Sequence, residues 1–201
     1  MFRRIRTAGE LVRAKTVQLS LAAAILVIWG CSGPAVDNTA TESVTLDQTA
    51  PVELVSVTLD EWRQEVDDLR GEIVVADMWA TWCIPCIERF PHMVDLSRRY
   101  EGDGVRFIST CLDDPGDAQA VAYARQFLQE QQATFDNYLI NGNIADSFEQ
   151  LDLMTIPAVF IFGPDGELSY RLTADDPNNQ FTDQDVEDAI LELLGRSSTQ
   201  D

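Results

Sequence analysis

The stretch DMWATWCIPCIERFP, residues 77–91, sets Cys83 and Cys86 three positions apart, directly after an apolar, β-branched run. Few folds accommodate that arrangement. EIVVADMWA (72–80) reads as a buried strand, and the segment from Pro85 to Tyr100 has helical spacing, with Ile87, Phe90, Val94 and Ser97 on one face. Cys83 is therefore expected where a strand hands over to a helix. Residues three apart on a first helical turn are neighbours, close enough for a disulfide. The same turn has unpaired N–H groups and the positive end of the helix dipole, both of which favour a thiolate. Cys83 is thus expected to have a lowered pKa and to attack first, each unit of lowering being worth about 1.4 kcal/mol. Cys86, one turn in and more buried, is the expected resolving thiol. Pro85 has no N–H to leave unpaired and suits the first turn.

Other readings of the pair are weaker. A metal site usually needs four ligands, and the chain has one histidine and no second CxxC, so no metal is expected. A structural staple is conceivable, but a ring closed over so few residues constrains the unfolded chain very little. A peroxidatic cysteine would not need a partner three residues on. CxxC at a strand-to-helix junction points to a redox-active dithiol that needs no cofactor.

The rest of the domain reads as alternating strands and helices. VELVSVTLDEWRQEVDDLRG (52–71) gives a short strand and a short helix, with Asp60 as the expected N-cap and Gly71 as the stop. VRFISTCL (105–112) is a second buried strand. DAQAVAYARQFLQEQ (117–131) is amphipathic, with Val121, Ala124, Phe127 and Leu128 inward. NYLI (137–140) is a brief strand and NIADSFEQL (143–151) a short helix. AVFIFGPDGELSYRL (158–172) is a hairpin turned by GPDG, and DQDVEDAILELLG (183–195) is a closing helix stopped by Gly195. The expected fold class is α/β, with a mixed central sheet flanked by helices.

The N-terminal region differs in kind. MFRRIRTAGELVRAK carries four arginines and the only lysine, and the nearly uncharged run Leu19–Gly30 follows. That pattern reads as an export signal over residues 1–30, with an uncleaved membrane anchor as the alternative. Cys31, in IWGCSG, resembles the lipobox cysteine of bacterial lipoproteins, which becomes the lipidated first residue of the mature chain. Trp29 departs from that pattern, and a cysteine that merely follows a signal peptide is the plainer reading. Lipid chains would tether the protein to a membrane surface. Residues 31–50 are small and polar, as in a flexible linker; 51–195 form one domain, and 196–201 a tail. Residues 1–30 hold five of the 14 basic residues and one of the 34 acids, so without them nine arginines face 33 acids, a net charge of -24. Such a surface repels nucleic acid and suits solubility or a basic protein partner.

DMWATWCIPC, Pro91, TIPAVFIFGPDGEL and the element order resemble the thioredoxin superfamily, most of all exported TlpA/ResA-like thiol–disulfide oxidoreductases, over about residues 51–195. The resemblance implies a thioredoxin-like fold with Cys83 as nucleophile, Cys86 as resolver and Trp82 packed beside them. Pro157 matches the family's cis-proline, in the bond Ile156–Pro157, which presents backbone to an extended substrate. Ile84 and Pro85 complete the substrate-facing surface. Asp77 falls where thioredoxin keeps a buried acid that shuttles a proton; within IVVADMWA, burial alone should raise its pKa. An outward-facing aspartate is the alternative. Two departures stand out: no lysine lies near that acid, and Arg89 occupies a position where relatives often carry glutamate, so proton management would fall to Asp77 alone. The implied protein faces the periplasm in the cell envelope, exchanges with protein disulfides or dithiols, and draws electrons from a membrane donor. A reductant is the leading expectation; an oxidase or isomerase, a non-catalytic binding module and a thiol-dependent peroxidase are the alternatives.

Four further residues read as structural. His92 is expected on the surface or in packing, Cys111 as a small buried core residue with a third redox thiol as the alternative, and Asp113 and Asp114 as helix-capping acids before Pro115.

Overall fold

A computed structural model describes residues 52–196. The expected export signal, Cys31 and the linker lie outside these residues. Eleven elements alternate along the chain: β1 (Val55–Val57), α1 (Leu59–Asp68), β2 (Ile73–Trp79), α2 (Ile84–Arg99), β3 (Val105–Cys111), α3 (Ala118–Gln131), β4 (Asp136–Ile140), α4 (Ile144–Gln150), β5 (Ala158–Phe162), β6 (Leu168–Thr173) and α5 (Asp183–Leu193). The strands form one sheet in the order β1-β4-β3-β2-β5-β6. β1, β4, β3 and β2 run parallel, whereas β5 and β6 are antiparallel to their neighbours. This is the mixed, helix-flanked sheet expected from the sequence. Among the described residues no helix is long and apolar enough to cross a membrane.

β2 lies inside the sheet and is buried at all seven positions, which explains its unbroken apolar reading. Successive side chains point to opposite faces. Ile73 and Val75 pack with Met93 and Leu96 of α2 and with Val186 and Ile190 of α5, and Val74, Ala76 and Met78 join the cluster that holds Trp62 of α1. Asp77 shares the parity of Ile73 and Val75, so it faces α2 and α5. At the end of β2, Trp79 meets Phe90 of α2 and Phe127 of α3, with ring centroids 5.2 and 5.3 Å away and 5.1 Å between the two phenylalanines. Each fully buried ring contributes about 1.5–3 kcal/mol by leaving water. The triad fixes α2 and α3 around the strand end from which the cysteine loop departs.

Local chemistry shifted some helix ends from their expected places. Thr58, not Asp60, caps α1: its hydroxyl accepts from Glu61 N–H, and the Glu61 carboxylate accepts from Thr58 N–H at 2.7 Å. The T-x-x-E spacing of a capping box outweighs a lone aspartate two residues later. α1 also ends before Gly71, closed at Leu69; Gly71 lies beyond it with φ of 103° and donates its N–H to Pro164 O. Asp113 and Asp114 do not cap α3. Asp117 does, accepting from the N–H groups of Gln119 and Ala120, while Asp114 turns the chain by accepting from Gly116 N–H. α2 continues through Pro91, with Met93 and Leu96 buried on its inner face and Ser97 only half-buried.

Candidate active site

β2 delivers the chain to a short turn, Ala80–Trp82, closed by a 3.1 Å hydrogen bond from Cys83 N–H to Ala80 O. β3 runs alongside to the same level, pairing Cys111 with Trp79 and donating Leu112 N–H to Trp79 O. Cys83 is the N-cap of α2 rather than a residue of its first turn. Its sulfur accepts the Cys86 backbone N–H at 3.3 Å, and Ile84 and Pro85 fill the first two helical positions. Cys83 and Cys86 form a disulfide, with their Cα atoms 5.3 Å apart. After reduction, the same N–H and the helix terminus bear on the Cys83 sulfur, which is where a thiolate is stabilised.

Exposure around the pair is sharply graded. Cys83 is 5% exposed and Cys86 is buried, while Trp82 and Ile84 stand out at 55% and 70%. The turn points the Trp82 indole outward beside the cysteines, and with Ile84 and exposed Pro85 it forms an apolar rim. Register places Ala158 opposite Met78, so Ile156–Pro157 lie at the end of the sheet from which the cysteine turn leaves. The Ile156–Pro157 bond is cis, as the resemblance implies, and both residues are buried. Thr155 N–H donates to Asp175 Oδ1 and Ala174 N–H to Pro157 O, which ties this segment to the end of β6. Met154, two residues earlier, is 84% exposed; sequence reasoning passed over it, although a large apolar residue beside a TIP turn was a visible signal.

Asp77 is buried, as the apolar run around it demanded, and burial raises its pKa to about 6. The Arg89 guanidinium opposes that rise, donating to Oδ1 at 2.9 Å, while Asp183 of α5 adds to it. Asp77 Oδ2 has no hydrogen-bond partner among the described residues, which leaves it the open oxygen for a proton. Asp77 remains the proton carrier of this group, but its pKa is set with neighbours. Arg89 follows Cys86 by three residues, on a neighbouring position of α2, and turns inward between Asp77 and Asp183 with its guanidinium 4.7 Å from the centre of the Phe181 ring. Half-buried His92 approaches Asp183 to 4.0 Å at the outer end of this group. A rule that looks for lysine near the acid misses an arginine supplied by the next helix.

Cys111 is buried at the end of β3, as expected of a core residue, and its thiol donates to Asp113. No group of three or more potential metal ligands occurs among the described residues. A cavity lined by Ser97, Arg98, Phe107 and Phe135 opens beside Val105, at the far end of β3 from the disulfide, so it does not serve the cysteines.

A mixed sheet with the order above, a disulfide at the N-terminus of α2 and a cis-proline at the start of β5 define a thioredoxin-like fold with its CxxC pair in place. The chain belongs to the AhpC/TSA family, whose model matches residues 46–171. It is similar to the thiol-disulfide oxidoreductase ResA of Oceanobacillus iheyensis, at 31% identity over 115 residues, 57% of this chain and 56% of that one. It is also similar to ResA of Bacillus subtilis, at 25% identity over 107 residues, 53% of this chain and 55% of that one. The chain thus spans little more than half the length of either. In structure it resembles a candidate thiol:disulfide interchange protein DsbE from Chlorobium tepidum, with a TM-score of 0.53 and 24% identity over 65% of this chain and 85% of the other. A thiol:disulfide interchange protein from Bacteroides sp. gives a TM-score of 0.51 and 14% identity over 66% and 80%. At such identities the structural likeness speaks for the fold.

Proposed function

We propose that this protein is an exported, membrane-tethered thiol–disulfide oxidoreductase that reduces protein disulfides through Cys83 and Cys86. The observation that carries the reading is the disulfide at the N-terminus of α2, with Cys86 N–H donating to a Cys83 sulfur set just beneath an apolar rim. In the reducing direction the Cys83 thiolate attacks a partner disulfide and expels one partner thiolate. Cys86, deprotonated with Asp77 as the acceptor, then attacks Cys83 Sγ and releases the second partner sulfur. The partner gains two electrons and the pair returns to its disulfide. Trp82, Ile84, Pro85 and Met154 are the apolar surface on which an extended partner segment rests, with Ile156–Pro157 behind it. Similarity to proteins named ResA supports the activity. A membrane electron donor would restore the dithiol.

Trapping tests the exchange. Cys86→Ala should freeze a mixed disulfide between Cys83 and its partner, identifiable by mass spectrometry. Adducts no more specific than those of the Cys83→Ser, Cys86→Ala double variant would remove its main support. Partner capture that survives Cys83→Ser would favour a binding module instead. Direction is read by equilibration with glutathione. Potentials of such proteins run from about -270 to about -120 mV, and a value near the oxidising end would replace the reductant reading with an oxidase. Peroxide consumption at catalytic rates would point to a peroxidase. The tether rests on the sequence of residues 1–31, and intact mass of the mature protein tests it: an acylated N-terminal Cys31 is expected, and an unmodified one argues for simple secretion.

A further inference from the structure

Asp113 is the buried charge that the exchange just described leaves without a role. It follows β3 by two residues and is 1% exposed. Its carboxylate accepts from Thr81 and from Cys111. Thr81 N–H reaches Oδ1 and Oδ2 at 3.2 and 3.1 Å, Thr81 Oγ1 donates to Oδ1 at 2.9 Å, and the Cys111 thiol donates to Oδ2 at 3.2 Å. None of these donors carries a positive charge. An ionised carboxylate is the acceptor-only form that such a set of donors suits. Burial pushes the Cys111 thiol well above its usual range, and the Asp113 charge acts the same way, so Cys111 stays a donor and out of exchange.

Thr81 stands two residues before Cys83, a chain distance of at most about 7 Å. A charge bonded to the Thr81 amide therefore lies on the order of 10 Å from the Cys83 sulfur, inside a protein region where screening by salt is weak. We propose that Asp113 is a positioning residue for the exchange reaction proposed above, on which this inference rests. It fastens the root of the cysteine loop to the end of β3, and its fixed negative charge opposes thiolate formation at Cys83. The disulfide is neutral and does not feel that charge, whereas the reduced pair in its thiolate form does. The charge therefore favours the oxidised pair and makes the dithiol a better donor of two electrons to a partner disulfide. The helix terminus pulls the other way, and Asp113 sets how far that pull goes.

The test is equilibration of the full chain with reduced and oxidised glutathione at pH 7, together with the pH dependence of Cys83 alkylation. Asp113→Asn should move the equilibrium about tenfold toward the dithiol, a potential about 30 mV less reducing. The apparent pKa of Cys83 should fall with it. Asp113→Ser is also neutral, and should shift both readouts the same way if the asparagine variant does not fold. Thr81→Ala keeps the charge while removing one anchor, and should stay within about threefold of the wild type, well under the tenfold step of the neutral variants. Unchanged equilibria and alkylation profiles in the neutral variants overturn the proposal. So does a Thr81→Ala shift as large as that of Asp113→Asn, which assigns the effect to loop geometry. A wild-type pair that does not exchange with glutathione at all overturns the oxidoreductase reading itself, and this inference with it.

Discussion

Burial and ion pairing pull Asp77 in opposite directions, and burial wins, leaving its pKa near 6 against 3.8 for an ordinary aspartate. Between those values the folded protein binds more protons than the unfolded chain, so stability falls as pH rises through that window. The loss amounts to about 3 kcal/mol and is complete above the folded value. Asp77→Asn has no such proton to lose. Its stability relative to wild type should therefore climb by up to that amount between pH 4 and pH 7.5, as read from urea midpoints; a flat difference would mean Asp77 titrates normally. Arg89→Met removes the charge that lowers the Asp77 pKa, and Asp183→Asn removes one that raises it. The midpoint of the pH profile for mixed-disulfide resolution should move up in the first and down in the second. Asp77 could be found from sequence because an acid inside IVVADMW has nowhere to go but inward. Its partner could not, since only the rotation of α2 about its axis decides that Arg89 points at the sheet while neighbouring Glu88 points at water.

Among the elements, the strongest patterns were the most readable. β2 and β3 announce themselves by apolar runs, α3 by its inward stripe of Ala124, Phe127 and Leu128, and the β5–β6 hairpin by GPDG, where Gly166 takes φ of 78°. Helix starts were harder, because Thr58, Asp60, Asp113, Asp114 and Asp117 all have oxygens that could cap and only backbone direction chooses among them. The chosen caps can be tested. Thr58→Ala removes the hydroxyl that accepts from Glu61 N–H while leaving the bond from the residue-58 backbone N–H to Glu61, and should cost about 1 kcal/mol in a urea titration. Phe127→Ala opens a hole beside Trp79 and Phe90 and should cost about 3–5 kcal/mol. It should also slow exchange at Cys83, because Trp79 is the strand end from which the loop springs. The site as a constellation was legible only where a motif named it. WCIPC and the TIP turn gave Cys83, Cys86 and Pro157, but the Thr81–Asp113–Cys111 cluster joins segments 32 residues apart through a sheet register that no local pattern encodes.

For the whole molecule the dominant quantity is charge, -20 for the full chain and -24 without residues 1–30. A field of that sign should draw cationic partners and repel anionic ones. Reduced protein should react faster with cystamine, which is cationic, than with oxidised glutathione, which is anionic. The advantage should shrink several-fold between about 10 mM and 0.5 M salt as the Debye length contracts from about 30 Å to a few Å. A ratio indifferent to salt would mean that local contacts at the rim govern choice of partner. The enclosure of Cys111 has a practical sequel of its own. A sulfhydryl shut in the middle of the molecule can react with a labelling reagent only while β3 breathes open, so the rate at which it becomes tagged is an internal clock for that motion. The protein thus carries, without any engineered probe, a gauge of how often its interior admits the outside.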